Sequence, residues 1–190
     1  MNKRAETSTE VHPLIAQRWS PRAYDESATI SADDLTAIFE AARWAPSAFN
    51  AQPWKFVVGI QGDETFAGIS SLLVDFNKQW APKASTLILV NVLTLREDGK
   101  ANPTALYDTG LAVSHLTFEA NHRGYDVHQM SGFDNAAAKT KFPLGQGVEP
   151  ITCVAIGKRT SPDSLPEEIK VREVAPRSRK SLDEIVNITW

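Results

Sequence analysis

Apolar residues along this chain switch repeatedly between helical and strand spacing, and no internal repeat interrupts the alternation. Leu35, Ile38, Phe39 and Ala42 recur every three to four residues. They predict a helix that opens at Ser31, with Asp34 completing a capping-box-like start, and that ends at Pro46. Trp54 to Ile60 reads as a strand, and Asp63 to about Phe76 as a second helix. Leu87 to Leu93 is aliphatic and β-branched, the composition of a buried strand. A polar loop over Arg96 to Pro103 precedes a long helix from Thr104 to Arg123. Its apolar positions Leu106, Leu111, Val113, Leu116 and Phe118 cover most of the circumference, which predicts a place in a core or at a subunit interface, with Gly124 as C-cap. A short strand from Tyr125 to Gln129, a helix from Asp134 to Lys141 and a core strand from Ile151 to Ile156 follow.

The stretch from Lys158 to Trp190 differs from the rest. It carries Pro162, Pro166 and Pro176, many charges, and a sparse apolar set in Leu182, Ile185, Val186 and Ile188. Such a segment cannot build its own core, yet its end is too apolar for a disordered tail. It is expected to embrace something, either as an arm reaching a neighbouring subunit or as an arm folded back on its own.

Composition narrows the class. The 190 residues, 42% hydrophobic and 23% charged, are enough for one globular domain with a proper core. A net charge of −3 gives no global basic field for nucleic acid or an anionic membrane, so any anion site must be local. The single Cys153 excludes an internal disulfide framework, lies in an apolar strand-like run, and points to a reducing, cytoplasmic compartment. Met1 to Glu10 lacks the apolar centre of a signal peptide, and no apolar run is long enough to cross a bilayer.

Two clusters carry candidate chemistry. Arg18-Trp19-Ser20-Pro21-Arg22 and Arg177-Ser178-Arg179 each set two guanidinium groups about a serine hydroxyl, a donor set suited to phosphate. Two such clusters in one small protein imply one shared anion, whereas each alone reads as a solvated basic turn. No GxGxxG motif follows a strand, so a Rossmann nicotinamide site is absent. His12, His115, His122 and His128 are scattered without metal-ligand spacing and read as surface or packed histidines.

Five segments, in order, resemble the nitroreductase family of flavoproteins: Arg18 to Tyr24, Pro46 to Trp54, Tyr107 to Ala112, Gly132 to Asp134, and Arg177 to Leu182. The resemblance spans nearly the whole chain. It implies an α+β fold with a central mixed, mostly antiparallel sheet flanked by helices. A C-terminal arm over 158–190 would be exchanged in an intertwined homodimer with two FMN sites at the interface. NADH or NADPH would act as a transient donor stacking on the flavin. Electron-poor acceptors such as nitro compounds, quinones or enones would then be reduced in a ping-pong cycle that needs no catalytic side chain.

The resemblance also implies site residues. Arg18, Ser20, Arg177 and Arg179, with the backbone at Trp19, would surround the FMN phosphate and ribityl chain. Arg22 would lie near the N1 and C2 carbonyl side of the ring, where a cation favours the reduced form. Pro46, Ser47 and Asn50 would touch the flavin from the other subunit, with Gln52 a structural hydrogen-bonding residue. Asn77 would reach the pyrimidine edge. Gly132 and the backbone at Ser131 would sit against N5, where a glycine permits close approach. Two departures stand out: Trp19 and Trp80 occupy places where many members carry a basic or hydrogen-bonding residue. The short connection from Leu93 to Thr104 leaves little room for a helical lid, so an open pocket is expected. Flavin reduction for a partner, reductive removal of a substituent, or non-catalytic FMN binding are the alternatives on the same fold.

Overall fold

The predicted alternation becomes a four-stranded sheet with helices on both faces, in a computed structural model that describes residues 3–187. Ile188, counted above in the tail's apolar set, lies outside the described residues. A short helix that periodicity did not predict, α1 (Pro13–Gln17), starts on a proline, and the His12 ring accepts the Leu14 N–H at 3.3 Å. The helix α2 (Ala32–Arg43) begins as expected, with Ser31 Oγ accepting the Asp34 N–H at 3.0 Å. Asp34 does not close the box. Its carboxylate accepts instead from Arg123 at 2.9 Å and from the Tyr125 hydroxyl at 3.0 Å, tying the start of α2 to the end of α5 (Ala105–His122).

The strands are β1 (Trp54–Ile60), β2 (Thr86–Leu93), β3 (Asp126–Met130) and β4 (Val148–Gly157), in the order β1-β2-β4-β3. A mixed, mostly antiparallel sheet was expected, and every pairing among the described strands is antiparallel. β2 is nearly all buried because its period-two alternation feeds two cores. Ile88 and Val90 face α2 and α5 with Val127, Val154 and Ile156, while Leu87 and Leu89 join Met130, Cys153 and Ala155 on the other face. β4 starts three residues earlier than predicted. Pro150 sits where the β2–β4 register shifts between Val90 and Asn91, and β3 reaches only as far as Cys153, so the missing N–H breaks no ladder with β3.

The structure corrects one predicted helix. The predicted helix over 63–76 is two helices, α3 (Glu64–Leu72) and α4 (Asp75–Lys78). The buried Leu73 between them is extended and bridges to Phe133, and Val74 N–H reaches the Gly132 carbonyl at 3.1 Å. The long helix α5 buries Ala112, Val113, Leu116 and Ala120, but Leu106 and Tyr107 are exposed. The tail is not uniform. After α6 (Asn135–Lys141) and β4, the chain pairs back on its beginning: Asp25 N–H bonds the Lys158 carbonyl at 2.8 Å, and Thr160 N–H bonds that of Ala23 at 3.0 Å. Leu165 and Ile169 then carry α7 (Glu167–Val174) into the core around Trp80, and Arg177 bonds the chain's own Lys3 and Ala16 carbonyls, so folding back holds as far as Arg177. Beyond α7, residues 175–187, including α8 (Leu182–Ile185), are exposed apart from a half-buried Arg177.

α3 lies directly on β1 because Gly59 has no side chain. A Cβ at that position would stand 2.3 Å from the Phe66 backbone nitrogen. Gly59→Ala is therefore expected to cost about 1–3 kcal/mol of stability, read as a lower urea midpoint at unchanged m-value.

Candidate functional site

The pairing of 23–25 with 158–160, and the seat of α7, bring the two arginine clusters together although more than 150 residues separate them. Arg18 is half-buried and its Nη1 donates to Ser20 Oγ at 3.3 Å. Burial, and then the neighbouring Arg177 and Arg179, hold its pKa below the ordinary arginine value. Burial and Arg179 lower that of Arg177 in the same way. Among the described residues, no carboxylate forms an ion pair with Arg18, Arg177 or Arg179. Three mutually repelling cations without a counter-charge are a ready anion site. Arg177 also has partners within the chain. Its Nη1 is engaged by the carbonyls of Lys3, at 2.6 Å, and Ala16, at 3.0 Å, so it also braces the N-terminal segment.

Arg22 sits beside this cluster against a partner that sequence reasoning missed. The Glu173 carboxylate, on α7 and 1% exposed, accepts the Arg22 backbone N–H at 2.9 and 3.0 Å and the Ala23 N–H at 3.3 Å. The Arg22 guanidinium lies 3.6 Å from it and 6.0 Å from each of the Phe76 and Trp80 ring centres. Its buried Nε has no hydrogen-bond partner among the described residues. The Trp19 ring is buried under two cations, Lys3 at 4.4 Å and Arg159 at 5.5 Å. Trp80 is likewise wholly buried, a core residue whose ring lies tilted against His128, 4.5 Å between ring centres.

The break between α3 and α4 places Asn77 against Gly132. Asn77 Nδ2 donates to the Gly132 carbonyl at 3.0 Å, and a Cβ on Gly132 would stand 2.8 Å from that nitrogen and 2.9 Å from Val74 Cγ2. The close approach that glycine permits here is by the chain's own side chains. Ser131 beside it is exposed, and its carbonyl accepts the Phe133 N–H at 3.1 Å.

Pro46, Ser47 and Asn50 do not join these residues within the chain. Their loop enters β1 at Trp54, whereas Arg22 to Tyr24 lie beside Arg159, beyond the opposite end of the sheet. The six steps of β1 put about 20 Å between those ends. The loop is held in a strained shape, with Phe49, Asn50 and Gln52 at φ of 54°, 56° and 45°. The buried Asp108, which also accepts from Thr104 Oγ1, takes the Ala48 N–H at 3.1 Å. Ser47 Oγ takes the Gln52 N–H at 3.1 Å, and Gln52 Nε2 donates to the Asn50 carbonyl at 3.0 Å, which makes Gln52 the hydrogen-bonding brace its type suggested. Phe49 is left 93% exposed, with Arg96 5.9 Å away.

The sequence profile of the nitroreductase family matches residues 15–72. A solved oxidoreductase containing FMN is 34% identical and superposes with a TM-score of 0.92, over 98% of this chain and 95% of its own. An uncharacterized 15.4 kDa protein of Mycolicibacterium smegmatis is 35% identical over 69% of this chain and 92% of its own length. The chain belongs to the nitroreductase family. An oxygen-insensitive NADPH nitroreductase of Helicobacter acinonychis is 37% identical over a shorter stretch, 40% of this chain and 36% of its own length. The nitroreductase fold accounts for the antiparallel sheet and its flanking helices. The residues of this nitroreductase-family chain also suit FMN on their own chemistry: unpaired arginines for a phosphate, and an orphaned Arg22 Nε for a polar ring edge.

Glu173, Phe76, Lys3 and Asp108 escaped sequence reasoning. An acid or lysine in a charged stretch reads as a solvated face, and only burial marks it out. His128 is a further structural contact. Its Nδ1 lies 2.8 Å from the Pro21 carbonyl, which can only accept, so that nitrogen carries the proton. Burial lowers the His128 pKa from 6.5 to about 4. The unfolded chain therefore takes up this proton below pH 6.5 and the folded chain only near pH 4. Stability should fall as pH drops through that window, by about 3 kcal/mol from this group, and should level off below it. Urea titrations of the wild type and His128→Asn between pH 7 and 4 test this: the variant should lose that part of the slope.

Proposed function

We propose that this nitroreductase-family protein binds FMN and uses NADH or NADPH to reduce electron-poor acceptors such as nitro compounds, quinones and enones. The carrying observation is the cluster of Arg18, Arg177 and Arg179, which has no carboxylate partner among the described residues and stands beside Arg22 with its unspent donors. When bound, FMN supplies the two-electron chemistry, taking hydride from the nicotinamide and passing electrons on.

The side chains have the following roles. Arg18, Ser20 and Arg179 hold the phosphate, with the Trp19 backbone assisting, and Arg177 divides its donors between phosphate and the Lys3 and Ala16 carbonyls. Arg22 supplies positive charge on the ring side where negative charge gathers, and Asn77, Ser131 and Gly132 line the ring from α4 and the end of β3. Pro46, Ser47 and Asn50 come from a second copy of the chain. The roughly 20 Å between sheet ends supports that assignment, as do the exposed Leu106, Tyr107, Leu182 and Ile185, which offer apolar surface to a partner. The exposed stretch over residues 180–187, beyond the arginines that stay with their own chain, belongs to the exchanged arm. The connection over 94–104 is a tight turn, with Leu95 bridged to Ala101, and it holds no helix, so the acceptor site is open and takes bulky acceptors. No helix among the described residues is long and apolar enough to cross a membrane.

The purified protein should be yellow with releasable FMN, and anaerobic NADH or NADPH should bleach it rapidly. Loss of colour with neither donor would overturn the oxidoreductase reading. Arg18→Ala should weaken FMN retention by about 1.5–3 kcal/mol, measured by flavin fluorescence on titration, and Arg179→Ala should act in the same direction. Truncation after Arg179 removes the exposed end of the arm but leaves α7 and both C-terminal arginines. It should yield a folded chain that loses both dimer and FMN in size-exclusion chromatography with absorbance at the flavin band. A yellow truncated dimer would show the arm to be dispensable.

A further inference from the structure

We infer that Glu173 is a positioning residue that sets the flavin's reduction potential and affinity through Arg22, an assignment that rests on the FMN reading above. Burying a carboxylate to 1% exposure is costly, and the cost is offset here by a dedicated set of donors. The Arg22 N–H is shared between both oxygens at 2.9 and 3.0 Å, the Ala23 N–H adds 3.3 Å, and the Arg22 guanidinium stands at 3.6 Å. All of these donors belong to the segment that carries the first arginine cluster.

The backbone of Glu173 reaches the same segment. Its carbonyl accepts Lys3 Nζ at 2.7 Å, and four residues later Arg177 bonds the Lys3 carbonyl at 2.6 Å. Glu173 thus stands where the register between the two clusters is decided. A shift of α7 along its axis would move Arg177 and Arg179 relative to Arg18 and Ser20. That makes the side chain's reach a determinant of phosphate affinity.

Its charge has a separate effect. Arg22 has no other carboxylate partner among the described residues, and its Nε is buried and unpaired. Glu173 therefore offsets part of the positive field that Arg22 would otherwise direct at a bound ring. Removing the charge while keeping an acceptor should leave Arg22 a stronger cation and favour the reduced flavin.

Glu173→Gln and Glu173→Asp separate charge from reach in the FMN-loaded protein. Glu173→Gln keeps an acceptor for the Ala23 N–H. It should raise the two-electron midpoint potential by about 30 mV, a tenfold shift toward the reduced form, with FMN affinity within threefold of wild type. The same substitution in an Arg22→Ala background should move the potential by clearly less, because the part of the effect that passes through the placement of Arg22 is gone. Glu173→Asp keeps the charge but withdraws it by one methylene. It should weaken FMN binding fivefold or more at unchanged potential, and it also serves as the test if Glu173→Gln does not fold. An unshifted potential in Glu173→Gln, a shift of undiminished size without Arg22, or wild-type affinity in Glu173→Asp would each overturn the inference. A colourless wild-type protein that takes up no added FMN would instead overturn the FMN reading, and this inference with it.

Discussion

Everything distinctive about this molecule depends on how its two ends are held together by a buried charge. The backbone pairing of residues 23–25 with 158–160 closes the chain, and the Glu173 carboxylate beneath it binds the next stretch, Arg22 and Ala23, from α7. A buried acid can stay there only while its donors stay, so α7 and the N-terminal segment are committed to one arrangement. The arginine clusters are neighbours as a consequence. Had α7 been held only by Ile169 and Leu165, apolar contacts could slide without leaving a polar group unpaired.

That arrangement gathers like charges. Arg18, Arg177 and Arg179 meet with no carboxylate ion pair among the described residues, with Lys3 close by, and the lowered pKa values of Lys3, Arg18 and Arg177 record burial together with mutual repulsion. A folded protein does not gain stability by such a gathering; an anionic ligand does. The same logic of local cost appears in the loop from Pro46 to Gln52, where three residues without glycine's freedom adopt positive φ and are tied down by Asp108, Ser47 and Gln52. Both features concentrate strain or repulsion at residues proposed above to meet the cofactor, while the sheet that carries them is conventionally packed.

The interruption between α3 and α4 connects the core to that site. Leu73 leaves the helix to pair with Phe133, and the reoriented α4 brings Asn77 onto Gly132, where only a glycine fits. Its glycine character is therefore a packing requirement before it is anything else. The same break hides Trp80 in the core against Tyr24 and His128, which explains why a tryptophan stands where a polar residue was anticipated.

From sequence alone, the strands, most helix positions, the Gly124 cap and the order of the five family segments were legible, because each depends on near neighbours in the chain: periodicity of two or 3.6, a capping hydroxyl, a glycine at φ 80°. The arginine clusters were visible as a phosphate-like donor set for the same reason. What escaped was decided by contacts between distant residues. The split of the helix over 63–76 follows from Phe133, the early start of β4 from where β3 stops, and the two-part tail from the core that receives Ile169. Glu173, an acid among charged neighbours, differs from a solvated one only in its burial. Burial is a property of the folded chain, so tertiary structure alone could show that this carboxylate joins the two ends of the molecule.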